Sequence, residues 1–580
     1  MAVPQSLCGF YTALYVDVLR SSCISLELNS VKCFERDIET LMARVAAEGI
    51  SFLTKILPVL GKAFDKALLG NAFLCPRDFS KERGGSRPAF MSANFSHVLT
   101  DEGLLLDEPC LYCVRHIRQV CYLAYKIDFP YTSEQTNAVL DGFVRCEEEM
   151  PDGDFCIESP FFMKVINNAR TVISQVFRNF DPMSIIPRHG PGTTASGIRG
   201  EEKWLFTTLY DRLHQKYPYY QYFVVGGASE LVDRAKWYRG MTRSLTGKSK
   251  VSLVPKDSRG PRLICAEPVE YMWLQQGLGR KIMAHLETNN LTKGVVNFTD
   301  QSINQRIALT SSHPGNGEFA TLDLKDASDR VGLWLVRYLF RDTTLLPFLE
   351  ALRSDVTILP DGREISLKKF APMGSALCFP IESIVFWSLL HALVCTSLKL
   401  PLNKSNFRTF VYGDDLIVPT EYAYESIDLL ETVGLLVNRD KSCFTGDFRE
   451  SCGVDAFRGE NVTPTKLRRQ WQGNTLDATC YAHYVNTVNE LHERSYHVAA
   501  AALRSRIETV YGPIPTGTEF AGFPCIVVAD AVHAEEENFK CSPALKSRYN
   551  EDFRNWEFRV RCVVSNQTPT TLDGWTRLAR

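Results

Sequence analysis

Apolar positions recur at helical spacing through most of the first 180 residues. Leu111–Lys126 (LYCVRHIRQVCYLAYK) is typical, with one apolar face, so this region is predicted to be mainly helical. From about residue 250 to 465 the pattern changes to short β-prone runs alternating with helices, and from about 476 it is mixed. Pro/Gly-rich joints at Arg188–Gly197 and Pro255–Pro261 punctuate the first half, and no internal repeat is visible. Phe407–Pro419 (FRTFVYGDDLIVP) has β-prone residues on both sides of Gly413-Asp414, the pattern of a tight hairpin. Phe319–Asp323 (FATLD) reads as another strand, followed by a helix over Ser328–Arg341. Ile381–Val394 reads as an apolar helix. Its most lipid-like stretch, Ile384–Cys395, contains Ser388 and His391 and is shorter than the roughly 20 residues of a membrane span, so a buried helix is expected.

At 580 residues the chain exceeds what a single core serves, and several subdomains around a cleft are expected. A hydrophobic content of 45% with 23% charged residues is ordinary for a folded protein and leaves no long disordered tail. The net charge of −2 means that any nucleic acid must be met by a local basic surface. The N-terminus has no basic leader and carries Asp17 among its apolar residues, so secretion is not expected. The 18 scattered cysteines suit a reducing compartment, with the cytoplasm as default. Cys110, Cys113, His116 and Cys121 have a spacing that could hold zinc, but no second CxxC pair follows. The expectation there is a helix with half-buried thiols.

Adjacent carboxylates at a turn repel one another, and a hard cation such as Mg²⁺ relieves them. Taken alone, Asp414 and Asp415 could equally be a solvated turn. Asp323 changes that, because it also ends a strand. If both strands share a sheet, three carboxylates converge and can hold two metals about 3.5–4 Å apart for phosphoryl transfer. Asp329, at the start of the following helix, could accept a hydrogen bond from a ribose 2′-hydroxyl, or it could simply be a helix N-terminal charge. Pro372–Ala376, which includes Gly374 and Ser375, is a small-residue loop where backbone can approach a sugar or base.

The local basic surface lies just upstream. Arg234, Lys236, Arg239, Arg243, Lys248, Lys250, Lys256, Arg259 and Arg262 face a single acid, Asp257, with Trp237 and Tyr238 beside them. This alternation of cations with β-prone stretches suits phosphate contact and stacking in a single-strand channel. Lys466, Arg468 and Arg469, with Trp471, form a second patch that could touch a product duplex or be plain surface.

PKDSRGPR, DLKDASD, MGS, YGDD, NRDK (Asn438–Lys441), FRESCG and VTP follow one another in an order that resembles the catalytic subunit of levivirus-type RNA bacteriophage replicases. The resemblance covers about residues 185–475. It implies an α+β right-hand polymerase of fingers, palm and thumb, with an antiparallel-sheet palm flanked by helices. The corresponding division is a mostly helical region 1–180 around fingers and thumb, fingers at 181–265, palm at 266–475 and a thumb-like region at 476–580. It further implies RNA-directed RNA synthesis with primer-independent initiation, and two Mg²⁺ ions, replaceable by Mn²⁺, on Asp323, Asp414 and Asp415. Lys256, Arg259 and Arg262 would contact the triphosphate, and Asp329, Gly374 and Ser375 the nucleotide. Lys441 would donate a proton to the departing pyrophosphate. Lys248, Lys250, Arg449, Lys466, Arg468 and Arg469 would contact RNA, with Arg449–Gly453 supporting the growing strand's end. The implied partners are RNA template and product, ribonucleoside triphosphates, host elongation factors Tu and Ts and a ribosomal RNA-binding protein, in the cytoplasm of the bacterial host and with no membrane. Family members typically carry Asn at the position of Ser375 and Thr-Phe-Glu at Cys378-Phe379-Pro380, so details of ribose selection differ here.

Three other readings share parts of the pattern. A reverse transcriptase would be expected to carry a bulky residue near the sugar in place of Asp329 and Ser375. A non-catalytic RNA-binding or assembly factor on a decayed palm would have lost at least one metal carboxylate. A metal-dependent nuclease has no use for an extended basic triphosphate approach.

Overall fold

The expected hairpin forms around Gly413 and Asp414. In this computed structural model, residues 5–25, 31–151, 157–224, 228–404, 408–540 and 545–563 are described. Strand β1 (Phe319–Leu322), strand β2 (Phe410–Tyr412) and strand β3 (Asp415–Pro419) make an antiparallel sheet in the order β1-β3-β2. Phe407, where the hairpin was expected to begin, lies outside the described residues. Asp415 pairs with Tyr412, which leaves Gly413 and Asp414 as the two-residue turn. Gly413 has φ +62°, and a Cβ there would run into the Phe379 ring, so both conformation and space call for glycine.

The chain divides into two compact units. One comprises Met1–Tyr131, Lys256–Gly260 and Val462–Thr568, and the other includes Thr132–Pro255 and Pro261–Asn461. The first unit is mainly helical. Gln5–Ser25 packs on His497–Tyr511, which packs in turn on Ala478–Glu493, with Tyr11, Tyr15 and Tyr484 buried among them.

The second unit holds the three-stranded sheet and a long continuous core. Its helices include α1 (Ser133–Glu149) and α2 (Cys378–Ser397). A capping box starts α1, with Thr132 and Gln135 exchanging side-chain and backbone bonds. Helix α2 contains the expected buried segment and is apolar all round, the pattern of a helix enclosed by protein. By length and composition it is the one membrane-span candidate among the described residues, and 94% of that span is buried inside the protein. Its Ser383 and Ser388 hydroxyls satisfy themselves on the Phe379 and Val385 carbonyls, so neither leaves an unmet polar group in the core.

The helix expected over Ser328–Arg341 is instead two, Ala327–Arg330 and Leu333–Phe340. Between them the Val331 carbonyl accepts from Phe370 N–H and Leu333 N–H donates to the Lys368 carbonyl, so tertiary bonds replace the helical ones. A second sheet has the strand order Gly260–Ala266, Lys248–Asp257, Val356–Ile358, Glu364–Ser366.

Candidate active site

Asp323 follows β1 directly. The β1–β3 register pairs Leu322 with Leu416 and Thr321 with Ile417, and one further step sets Asp323 opposite Asp415, on one face of the sheet. Asp414 sits beside them at the turn. The three carboxylates thus converge at one end of the sheet, as expected if both strands share it.

Each carboxylate is held differently. Asp323 Oδ2 accepts from Asn438 Nδ2 at 2.7 Å and lies 3.5 Å from Lys441 Nζ, while its backbone N–H donates to Ser442 Oγ. Asp415 Oδ1 accepts the Cys452 N–H at 3.0 Å, and Asn304 Nδ2 reaches the Asp415 carbonyl. Cys452, φ +48°, lies in the hairpin between Phe448–Ser451 and Val454–Phe457, so the FRESCG motif braces the metal-ligand candidates from the side. Desolvation pushes Asp415 up to about 6, with the Cys452 N–H opposing and the charges of Asp414 and Asp323 adding to it. Asp414 reaches solvent but sits among crowding walls. That desolvation raises its pKa and Asp323 adds to the rise, while Lys441 and Arg262 act against it.

Glu382 on α2 was not anticipated. It is buried, and burial, with Asp414 next, holds its carboxyl well above the usual range. Its only signal in the sequence is an acid opening an apolar run. Lys369 was also missed: it is fully buried and bonded to Asp329 Oδ1 at 2.8 Å.

Among the described residues, no group of three or more His, Cys, Asp or Glu side chains is drawn close enough to hold a metal ion as it stands. Asn438 and Lys441 occupy an Asp323 carboxylate oxygen, and the Cys452 N–H occupies one of Asp415. The donor set nevertheless fits Mg²⁺, because all three are hard oxygen donors whose mutual repulsion a divalent cation relieves. At the zinc-like spacing, Cys113, His116 and Cys121 are buried in the helix Leu111–Tyr122. His116 packs between Tyr112 and Tyr496, and burial lowers it to about 3.

Of the predicted nucleotide contacts, Arg262 is exposed on Gly260–Ala266, and its charge acts on Asp414. Gly374, φ +119°, packs on the Cys265 carbonyl, and a Cβ would collide with it. Ser375 is buried and its Oγ accepts from Leu377 N–H. Lys256 and Arg259 belong to the other unit. There the Lys256 N–H meets the Tyr131 hydroxyl, and Arg259 pairs with Asp257 and lies over the Tyr125 ring.

Of the predicted RNA contacts, Lys248 and Lys250 point outward from their strand, alternating with buried Ser249 and Val251, and Lys248 pairs with Glu364. Lys466 lies over Tyr122, Arg468 is exposed, Arg469 pairs with Asp128, and Trp471 stacks on Phe10. Arg449 requires a correction. It is 1% exposed, with its guanidinium donating to the carbonyls of Phe319, Gly446 and Phe448, so it braces β1 from inside instead of reaching RNA.

The profile of the family described as RNA replicase, beta-chain, matches residues 169–476. The RNA-directed RNA polymerase subunit beta of Enterobacteria phage SP is 33% identical over 312 residues, 53% of this chain and 50% of that protein. The corresponding subunit of Qbeta virus (strain MX1) is 33% identical over 310 residues, 53% of this chain and 49% of that one. The RNA-directed RNA polymerase beta chain of Enterobacteria phage fr is 35% identical over 229 residues, 39% of each chain. The chain thus spans half or less of the length of these relatives. Among solved structures, the RNA-dependent RNA polymerase of BmCPV at elongation state is similar with a TM-score of 0.44 at 12% identity, over 78% of this chain and 45% of that one. The family match covers the strands that carry Asp323, Asp414 and Asp415 and runs on past Cys452, and on that match this chain belongs to the RNA replicase beta-chain family.

Proposed function

We propose that this protein is an RNA-dependent RNA polymerase replicating a single-stranded RNA phage genome by nucleotidyl transfer, with the β1-β3-β2 sheet as its palm. The observation that carries this reading is the register that brings Asp323 opposite Asp415, with Asp414 at the adjoining turn. Asp323, Asp414 and Asp415 would hold two Mg²⁺ ions, or Mn²⁺ in their place, which when bound would activate the attacking 3′-hydroxyl and stabilise the pyrophosphate. The chain's own groups do the remaining work. Arg262 supplies positive charge beside Asp414 for the triphosphate, and Asn438 fixes the Asp323 carboxylate. Lys441, 51% exposed, has the reach and the proton to neutralise the leaving pyrophosphate. Asp329, still 22% exposed, acts as acceptor for the ribose 2′-hydroxyl.

Regions around this sheet would serve as fingers and thumb, and synthesis would start without a primer. The partners are RNA template and product and ribonucleoside triphosphates, with elongation factors Tu and Ts and a ribosomal RNA-binding protein as host subunits in the bacterial cytoplasm. The net charge of −2 accords with RNA-binding surface contributed by such partners.

The test is incorporation of labelled ribonucleotides on a single-stranded RNA template with Mg²⁺, using purified protein with and without host-cell extract. Activity that requires all four ribonucleotides and disappears in Asp414→Asn supports the polymerase, and a requirement for extract supports host subunits. RNA binding with no synthesis under either condition would favour a non-catalytic role.

A further inference from the structure

The side chain of Lys369 has no exposed surface, and an ammonium so placed must be paired. Its Nζ lies 2.8 Å from Asp329 Oδ1, 3.1 Å from Glu147 Oε1 and 3.8 Å above the Phe143 ring. Phe143 and Glu147 stand four apart on one face of α1. The second Glu147 oxygen accepts the Lys368 N–H at 2.6 Å. Buried Arg353 donates to the carbonyls of Leu367, Lys369 and Phe370, so the backbone that carries Lys369 is fixed as well. Burial pulls the ammonium down, but Asp329 and Glu147 more than offset it, and Lys369 stays charged. Everything behind Asp329 is therefore anchored, while Asp329 itself remains partly open.

Ser375, whose hydroxyl accepts from Leu377 N–H, is 7% exposed and offers less open surface than Asp329. We infer that Lys369, held from behind by Glu147 and Phe143, is a positioning residue that orients the Asp329 carboxylate as acceptor for the 2′-hydroxyl of the incoming nucleotide. The inference rests on the polymerase reading above. It adds that sugar selection is set from α1, through a buried cation that does not touch the substrate.

The test compares kcat/KM for a ribonucleotide with that for its 2′-deoxy form on one RNA template, alongside equilibrium binding of GTP and dGTP. Lys369→Met and Glu147→Gln should lower the ribo/deoxy ratio on the order of tenfold, the scale of one charge-assisted hydrogen bond, and Lys369→Arg should restore most of it. In an Asp329→Ala background, Glu147→Gln should lower the ratio no further. A purely structural role would slow both sugars together and leave the ratio unchanged. Should Lys369→Met fail to fold, Glu147→Gln and Lys369→Arg decide the matter, since each keeps a polar partner in place. Folded variants with the wild-type ratio would overturn the inference. A wild-type protein that makes no RNA on an RNA template, with or without host-cell extract, would instead overturn the polymerase reading beneath it.

Discussion

Asn438 grips Asp323 twice: its backbone N–H donates to the Asp323 carbonyl at 2.8 Å and its side-chain amide to Oδ2 at 2.7 Å. The pairing of Leu436–Val437 with Leu324–Lys325 brings Asn438 there, one register step further on. Asn438→Ala keeps the backbone bond and removes the side-chain one, a hydrogen bond to a charged group of about 1.5–3 kcal/mol. The expected result is a roughly tenfold or greater loss in ribonucleotide incorporation and a higher Mg²⁺ concentration for half-maximal rate. Mg²⁺ titrations of initial rate test this, and superimposable curves for variant and wild type would refute it.

Asp414 and Asp415 are held above their ordinary pKa, so ionising them costs more in the fold than in the unfolded chain. Asp414→Asn and Asp415→Asn remove that cost, and in the second the amide oxygen can still accept the Cys452 N–H. Each variant should lose at least about a hundredfold in synthesis, keep RNA binding, and unfold at a higher temperature than wild type in EDTA. Lower melting temperatures would show that these carboxylates support the fold.

The hairpin and the apolar helix were legible because their signals are local. The β-prone runs on both sides of Gly413-Asp414 predict strands and turn, and an apolar run such as Ile384–Cys395 predicts burial. The Lys369–Glu147–Asp329 cluster was not legible, since a lysine before MGS gives no local sign of the helix that will cover it. Arg449 misled for the same reason. A cation in a polar motif reads as surface, and its burial is decided by the Phe319 carbonyl, far off in sequence. PKDSRGPR read as one motif, yet Lys256–Gly260 groups with Met1–Tyr131, where Tyr131 and Thr54 receive Lys256 and Ser258.

Arg449→Met would remove the guanidinium that donates to the carbonyls of Phe319 and Gly446. A loss on the order of 3 kcal/mol in unfolding free energy is expected, from more than one unsatisfied buried acceptor. RNA affinity of the folded variant should be unchanged. Urea unfolding and filter binding separate the two effects, and weakened RNA binding at intact stability would return Arg449 to the RNA surface.

Glu267 is 1% exposed, and burial pushes its carboxyl up to about 7 against the hydrogen bonds of Ser354 and Gln275 and the charges of Arg353 and Arg212. Gln275 also accepts the Ala376 N–H at 3.2 Å, so this acid stands behind the loop that holds Gly374 and Ser375. Its folded pKa exceeds its unfolded one. The stability it contributes is therefore fully present below about 4.5 and is lost as pH rises through about 7. Over that window the loss amounts to about 3 kcal/mol, at roughly 1.4 kcal/mol per pKa unit. Glu267→Gln keeps shape and acceptor but cannot ionise. Relative to wild type it should be near neutral at pH 5 and progressively more stable towards pH 8. Denaturant unfolding of both proteins across that range provides the check, and a difference that does not vary with pH would mean that Glu267 is ionised throughout.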